Sequence, residues 1–128
     1  MDDIPFDLSA RTKLFALRVI RVYTGLPRST EAQILGKQLL RSGTSVGANY
    51  REANRARSTP EFISKIGDCL KELDETAYWV ELLTESSILL GDKTASLQNE
   101  CNELLAIFTS ISKTAKAKLQ QKKKTLDE

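Results

Sequence analysis

Apolar residues recur at intervals of three and four along most of this chain, and polar residues fill the positions between them. This period is typical of amphipathic α-helices, each of which buries one face. No stretch shows the strict alternation that would indicate a half-buried β-strand. The pattern predicts an all-α protein with helices at residues 6–24, 30–56, 60–90 and 93–119, followed by a basic C-terminal tail at residues 120–128.

Residues that end or begin helices mark the connections between these four segments. Gly25 can close the first helix, and Pro27 blocks its continuation. Pro60 fits the first turn of the third helix, because an N–H there would have no helical partner. Gly91 ends the third helix. Such short connections predict an antiparallel up-down four-helix bundle that forms a single domain over residues 1–128. The alternative is an extended helical hairpin that completes its core only on oligomerisation.

The first two helices depart from a simple apolar stripe. In the first, Leu14, Leu17 and Ile20 widen the stripe beyond its seven-residue repeat. In the second, residues 41–56 are small, polar and basic where a bundle helix usually carries leucine and isoleucine. Three glycines of this helix, Gly36, Gly43 and Gly47, share one line. Because a glycine lets another backbone approach closely, we expect the helix to press against a partner along that line. The alternative is a helix that is bent or broken at residues 42–47.

Composition narrows the possible chemistry. The chain has no histidine, which removes Ser-His-Asp and Cys-His catalysis and histidine-ligated zinc. Cys69 and Cys101 both lie on apolar stripes and are expected to be buried, reduced thiols. We therefore expect no catalytic residue, metal or cofactor. There is no long apolar run, and the N-terminus is acidic, so a cytoplasmic protein without a membrane span is expected.

Charge is unevenly distributed along the chain. Residues 1–57 hold ten Lys or Arg against five Asp or Glu, residues 58–110 hold three against ten, and residues 111–128 hold six against two. In the second helix, cations recur on one stripe, because 18 residues make five helical turns, and two arginines of the first helix can extend it. This basic ridge consists of Lys37, Arg41, Arg51 and Arg55, with Arg11 and Arg18.

Three segments of the chain carry a resemblance to a known family. Residues 41–53 read Arg-Ser-Gly-Thr-Ser-Val-Gly-Ala-Asn-Tyr-Arg-Glu-Ala, residues 61–63 read Glu-Phe-Ile, and residues 70–76 read Leu-Lys-Glu-Leu-Asp-Glu-Thr. With these segments, the chain resembles the four-helix-bundle proteins encoded in intervening sequences of bacterial 23S rRNA genes. That family is similar to the accessory variability proteins of diversity-generating retroelements. The resemblance implies a cytoplasmic bacterial bundle that assembles as a homopentameric ring and has no established enzymatic activity.

Two groups of residues gain a structural interpretation from this bundle. Ser42, Asn49 and Thr76 are expected to form a buried polar layer that sets helix register, since buried polar groups need hydrogen-bond partners. Tyr50, Tyr78 and Trp79 are candidate interface anchors, because aromatic residues with a polar atom favour half-buried sites. Trp79 is the first choice among them.

The sequence favours a non-enzymatic, homo-oligomeric assembly or binding module. Its basic first half can meet the acidic third helix of another copy, since complementary charges fix register. The basic ridge can instead contact phosphates of RNA or DNA, or the charges can serve solubility alone. A protein partner is a further hypothesis. The alternative from a different class is a small ligand carrier or enzyme that uses the polar layer around Ser42 and Asn49.

Overall fold

Four α-helices make up the structure, a computed structural model that describes residues 7–127 apart from the side chain of Lys93. Three of the helices begin at a polar side chain that accepts a hydrogen bond from a free first-turn N–H. These caps are Asp7, Ser29 and Ser58. The helices are α1 (Leu8–Thr24), α2 (Thr30–Asn54), α3 (Thr59–Glu85) and α4 (Asp92–Asp127).

Each helix packs antiparallel on the next one along the chain. Contacts of α1 with α2, α2 with α3, and α3 with α4 are extensive, whereas α1 meets α4 only sparsely. Within the described chain α1 and α3 do not contact each other, so they lie diagonally across the bundle. The predicted all-α four-helix bundle is confirmed. No helix of residues 7–127 is long and apolar enough to cross a membrane.

The core lies between the four apolar stripes and contains both cysteines. Its largest fully buried side chains come from all four helices, and they include Phe15, Leu39, Ile66, Leu73, Leu83, Leu97, Leu104 and Phe108. The hydroxyl-bearing residues Thr12, Ser42 and Thr76 are also buried. A continuous core of this kind explains why a chain of this length can fold without the support of a disulfide bond or a bound metal.

Two predicted helix ends differ from the structure. The third helix ends at Glu85 and not at residue 90, because Ser87 adopts a positive φ of 63° and the Leu89 N–H donates back to the Leu83 carbonyl at 2.9 Å. The apolar residues after Glu85 therefore belong to a wrapped connection. The fourth helix does not stop at residue 119 but continues through the predicted tail to Asp127. The predicted start of the first helix, residue 6, lies outside the described residues.

The glycine line of α2 lies against α1, as the sequence predicts. A Cβ atom built at Gly43 would lie 2.7 and 2.8 Å from the two γ-methyl carbons of Val19, closer than real Cβ contacts. One built at Gly36 would lie 2.5 Å from Leu26 Cδ1, and one at Gly47 would lie 3.1 Å from Thr12 Oγ1. The α2 helix runs unbroken through this region. The glycines therefore permit close approach of two backbones, and the alternative of a broken helix is wrong.

Candidate functional site

Only two of the three residues predicted for the buried polar layer, Ser42 and Thr76, form it. The Thr76 hydroxyl donates to the Ser42 hydroxyl at 2.9 Å, and the Ser42 hydroxyl lies 3.3 Å from the Leu39 carbonyl, to which it donates. Both residues are fully buried. Asn49 is only half-buried, and its side chain makes no hydrogen bond within the described residues. Asn49 therefore does not share the Ser42–Thr76 hydrogen bond, and its predicted place in a buried layer is wrong because its position on α2 is partly open to solvent.

Burial of the Ser42–Thr76 pair bears on the ligand-carrier alternative. A ligand site needs polar groups that a solute can reach, whereas these two hydroxyls are sealed between α2 and α3 and already satisfy each other. The pair is suited to fixing how α2 and α3 align. A solute cannot reach the Ser42 and Thr76 hydroxyls in this structure.

The basic ridge on α2 is interrupted by an ion-pair network. The Arg41 guanidinium donates to Glu75 at 2.6 Å and to Glu72 at 3.4 Å, both on α3 of the same chain. The other ridge cations of α2, Lys37, Arg51 and Arg55, are exposed and make no ion pair within the described residues. Part of the charge complementarity expected between subunits is thus satisfied inside one subunit. Nucleic-acid contact through this ridge stays a prediction.

The two arginines of α1 do not extend the ridge. Arg11 donates to Glu100 at 2.7 and 2.9 Å and to Glu103 at 2.9 Å, which joins α1 to α4. The hydrogen bond to Glu100 raises the pKa of Arg11 above its ordinary value. Arg18 donates to the Ser96 hydroxyl at 2.7 Å. Both arginines therefore link α1 to α4, which otherwise make few contacts with each other. They lie on a different side of the molecule from the outer face of α2.

The three aromatic candidates lie in different environments. Tyr50 is half-buried, and its ring meets that of Phe108 edge-on with centroids 5.5 Å apart. Trp79 is also half-buried, and its Nε1 is enclosed without an acceptor within the described residues. Tyr78 is exposed over 53% of its surface, and its ring centroid lies 5.3 Å from that of Trp79. Tyr78 is therefore the most exposed of the three candidate anchors.

An exposed apolar face on α1 was not recognised from the sequence. Leu14, Leu17 and Ile20 were expected to widen the stripe toward the core, but they are exposed over 61%, 38% and 38% of their surface. They point away from Phe15 and Val19, which face the core. The width of the apolar pattern, which covers opposite sides of one helix, was the signal that could have revealed this face.

A second surface feature lies on the outward side of α3. Gly67 stands in the interior of this helix, is exposed, and has no atom within 4 Å of the position its Cβ would occupy. Gly67 therefore has no packing role in the described chain, although glycine weakens a helix by roughly 1 kcal/mol relative to alanine. Tyr78 lies 11 residues further on, close to the same face after three turns.

The two cysteines are free and buried. The Cys69 thiol donates to the Val46 carbonyl at 3.6 Å, and the Cys101 thiol donates to the Leu73 carbonyl at 3.2 Å. Burial raises the pKa of each thiol to about 12. Both thiols are therefore protonated at neutral pH and face α2 or α3 carbonyls, which agrees with a packing role.

Comparison with known proteins identifies relatives of this bundle. The family described as 23S rRNA-intervening sequence protein matches residues 6–110. No curated protein matches the chain. Among solved structures, the chain is similar to a protein of unknown function from the S23 ribosomal protein family of Bacteroides thetaiotaomicron, with 38% sequence identity and a TM-score of 0.78. That match covers 83% of this chain and 98% of the relative.

Proposed function

The chain belongs to the 23S rRNA-intervening sequence protein family, and from that premise we propose that it acts as a non-enzymatic assembly module, a subunit of a homo-oligomeric ring. The observation that carries the proposal is the apolar face of Leu14, Leu17 and Ile20, which nothing in residues 7–127 covers. A helix that is apolar on opposite sides is normally buried on both. Large exposed apolar side chains that adjoin one another mark interaction sites. The copy number five rests on the family resemblance alone.

The opposite side of the molecule offers a complementary surface. The outward face of α3 carries the open Gly67, the exposed Tyr78, and the exposed carboxylates of Asp74 and Glu81. An exposed glycine lets a partner helix approach closely, and a tyrosine supplies apolar contact area with one polar atom. This α3 face therefore suits a helix that is apolar and basic.

Charges beside the α1 face match this requirement. Lys13 and Arg21 are exposed and flank Leu14, Leu17 and Ile20. Opposite charges across the contact would steer association and fix register, more than they would add affinity.

Placement of the two faces favours head-to-tail contact. Because α1 and α3 lie diagonally in the bundle, their outward faces point in opposite directions. Contact between α1 of one copy and α3 of the next is head-to-tail, and repeated head-to-tail contacts close into a ring when the rotation per subunit allows it. A two-fold dimer, in contrast, would pair one face with itself.

Solution mass tests the proposal. We expect sedimentation velocity of the full chain to give a multiple of the 14.3 kDa subunit mass, and the double substitution Leu14→Lys and Leu17→Lys to give 14.3 kDa. Both residues are exposed, so folding should be little affected. The matched control is Ile34→Lys, since Ile34 is 57% exposed but lies on the outer side of α2.

Each outcome of this experiment decides something about the α1 face. A wild-type chain that stays at one subunit mass at high concentration would overturn the proposal. So would an α1 variant that keeps the wild-type mass. Loss of assembly in both the α1 variant and the Ile34→Lys control would indicate a general effect of added charge and would also contradict it.

A further inference from the structure

The C-terminal part of α4 extends past the last buried position of the bundle. The α4 helix has 36 residues, against 25 in α2 and 27 in α3. Ser112 is its last buried residue, and no residue after it is buried. We call residues 113–127 the α4 extension. At 1.5 Å per residue it is about 22 Å long. Its first turns border α3 near Phe62, and residues 120–127 are all exposed.

The α4 extension holds the surplus positive charge of the chain. Residues 6–110, which match the family, contain thirteen basic and thirteen acidic residues. The extension adds six lysines against the single acidic residue Asp127. Its lysines are Lys113, Lys116, Lys118, Lys122, Lys123 and Lys124. The family match ends at residue 110, so this charge lies outside the matched segment of the chain, whose own basic and acidic residues balance.

The arrangement of these lysines indicates the chemistry of a partner. At 100° per residue they are spread around the helix on both sides of a narrow apolar strip that carries Leu119 and Leu126, and none forms an ion pair within the described residues. Lysines three and four positions apart, such as Lys118 and Lys122, repel each other along the helix. A long helix end without tertiary contacts is marginal in water. A polyanion that neutralises several lysines at once would relieve this repulsion and stabilise the extension.

A membrane surface fits the α4 extension less well. Helices that lie in a membrane interface combine a broad apolar face, often with aromatic residues, and a separate charged face. The extension has no aromatic residue, and its larger apolar residues are Leu119 and Leu126. Lys122 and Lys123 border that side of the helix and leave an apolar strip only about 100° wide.

We propose that the α4 extension is a phosphate-binding arm that lies along the backbone of a nucleic-acid duplex. Its lysines would bind phosphate oxygens without reading the base sequence, because ammonium groups make compact, rotatable charge contacts. This contact is separate from assembly through α1 and separate from the ridge on α2. RNA and DNA duplexes share the phosphate chemistry and are distinguished by experiment.

The experiment is a fluorescence-anisotropy titration of the full chain with a labelled RNA duplex and a DNA duplex of equal length, at salt concentrations from about 50 to about 200 mM. The test variant replaces Lys122, Lys123 and Lys124 with glutamine. The matched control replaces Lys37, Arg51 and Arg55 with glutamine, which removes the same charge from the ridge. All six positions are exposed, so both variants should fold.

Counterion release sets the expected size of the effect. Each phosphate contact contributes about 0.9 to the slope of log affinity against log salt, so loss of three contacts should lower the slope by about 2.7. Over a fourfold rise in salt, wild-type affinity should then fall about 40-fold more than that of the test variant. The control should keep the wild-type slope. Circular dichroism at 222 nm should show helix content rising when the duplex saturates the wild-type chain, and rising less in the test variant.

Several results would overturn this proposal. One is no binding of either duplex at the lowest salt. A second is a slope of log affinity against log salt that falls equally in both variants, which would indicate an effect of net charge alone. A third is a slope that falls only in the ridge variant, which would favour binding through the α2 ridge. Lysine-dependent binding to anionic vesicles without duplex binding would point to a membrane. A changed oligomer mass in the test variant would assign the arm to another copy of the chain. If the chain does not assemble through α1 but still binds the duplex through these lysines, the proposed function is wrong and the inference about the α4 extension holds.

Discussion

Substitution of Gly43 by alanine tests whether α1 and α2 are in direct backbone contact. Taken alone, the change should stabilise a helix interior by roughly 1 kcal/mol, because alanine has the higher helix propensity. In this structure the new Cβ would lie 2.7 and 2.8 Å from the γ-methyl groups of Val19. Val19 is fully buried and β-branched, so it has little rotamer freedom with which to move away. Overpacking of this kind costs about 1–3 kcal/mol.

The expected net result is that Gly43→Ala lowers the free energy of unfolding by about 1 kcal/mol despite the gain in propensity. Gly47→Ala is the matched comparison in the same helix. Its Cβ would lie 3.1 Å from Thr12 Oγ1 and 3.4 Å from Thr12 Cβ, which a shift of a few tenths of an ångström can relieve. We expect Gly47→Ala to stay within about 0.5 kcal/mol of the wild type.

Urea unfolding followed by circular dichroism measures these changes, with all variants at one protein concentration because assembly makes stability concentration-dependent. A double-mutant cycle with Val19→Ala isolates the contact. Removing both γ-methyl groups should make the double variant about 1 kcal/mol more stable than the sum of the single effects. Cys101→Ala, on a helix diagonal to α2, should combine additively with Gly43→Ala. A Gly43→Ala protein more stable than the wild type would refute the close approach of α1 and α2.

Two further predictions concern the buried hydroxyl and thiol groups. Thr76→Val should cost about 1 kcal/mol in urea unfolding, and Ser42→Ala should cost less in that variant than in the wild type, because the hydrogen bond between the two hydroxyls can be lost only once; a fully additive double variant would contradict the hydroxyl pairing. For the thiols, native Cys69 and Cys101 should not react with a thiol reagent at about pH 8 and should react once unfolded. Because burial raises their pKa to about 12, the unfolded thiols ionise first as pH rises. Stability should therefore fall between about pH 9 and pH 12, and less so in a Cys69→Ala and Cys101→Ala double variant; equal losses would contradict this linkage.

Much of the fold could be predicted from local patterns. The capping residue Ser58 with Pro60, and the glycine line of α2, act through backbone geometry and hydrogen bonds within a few residues. The third helix was predicted too long, because Ile88 to Leu90 continue the apolar period while the chain has already turned at Ser87. The apolar period shows where apolar residues recur along the chain, but it does not show where the backbone changes direction.

The candidate site was harder to predict, because it depends on contacts between helices. Arg41 belongs to the predicted ridge by spacing, yet its charge is taken up by Glu72 and Glu75 more than 30 residues away. Tyr50 is an aromatic residue with a polar atom, which is typical of interfaces, but the rotation of α2 places its ring against that of Phe108. Which groups face each other across a bundle depends on the register and rotation of whole helices, and these follow from packing.

From the sequence alone it follows that this protein consists of four amphipathic helices, and that the second carries a glycine line which allows another backbone to approach closely. Helix period, caps and glycine spacing are local properties, and each helix buries its stripe because apolar surface leaves water. Whether Leu14, Leu17 and Ile20 join the core beside Phe15 and Val19 or stay exposed could be seen only once the helices were packed. Both sides satisfy the same helical period, so the choice rests on how Phe15 and Val19 fit between the other helices, a property of packed volume that one helix alone does not contain.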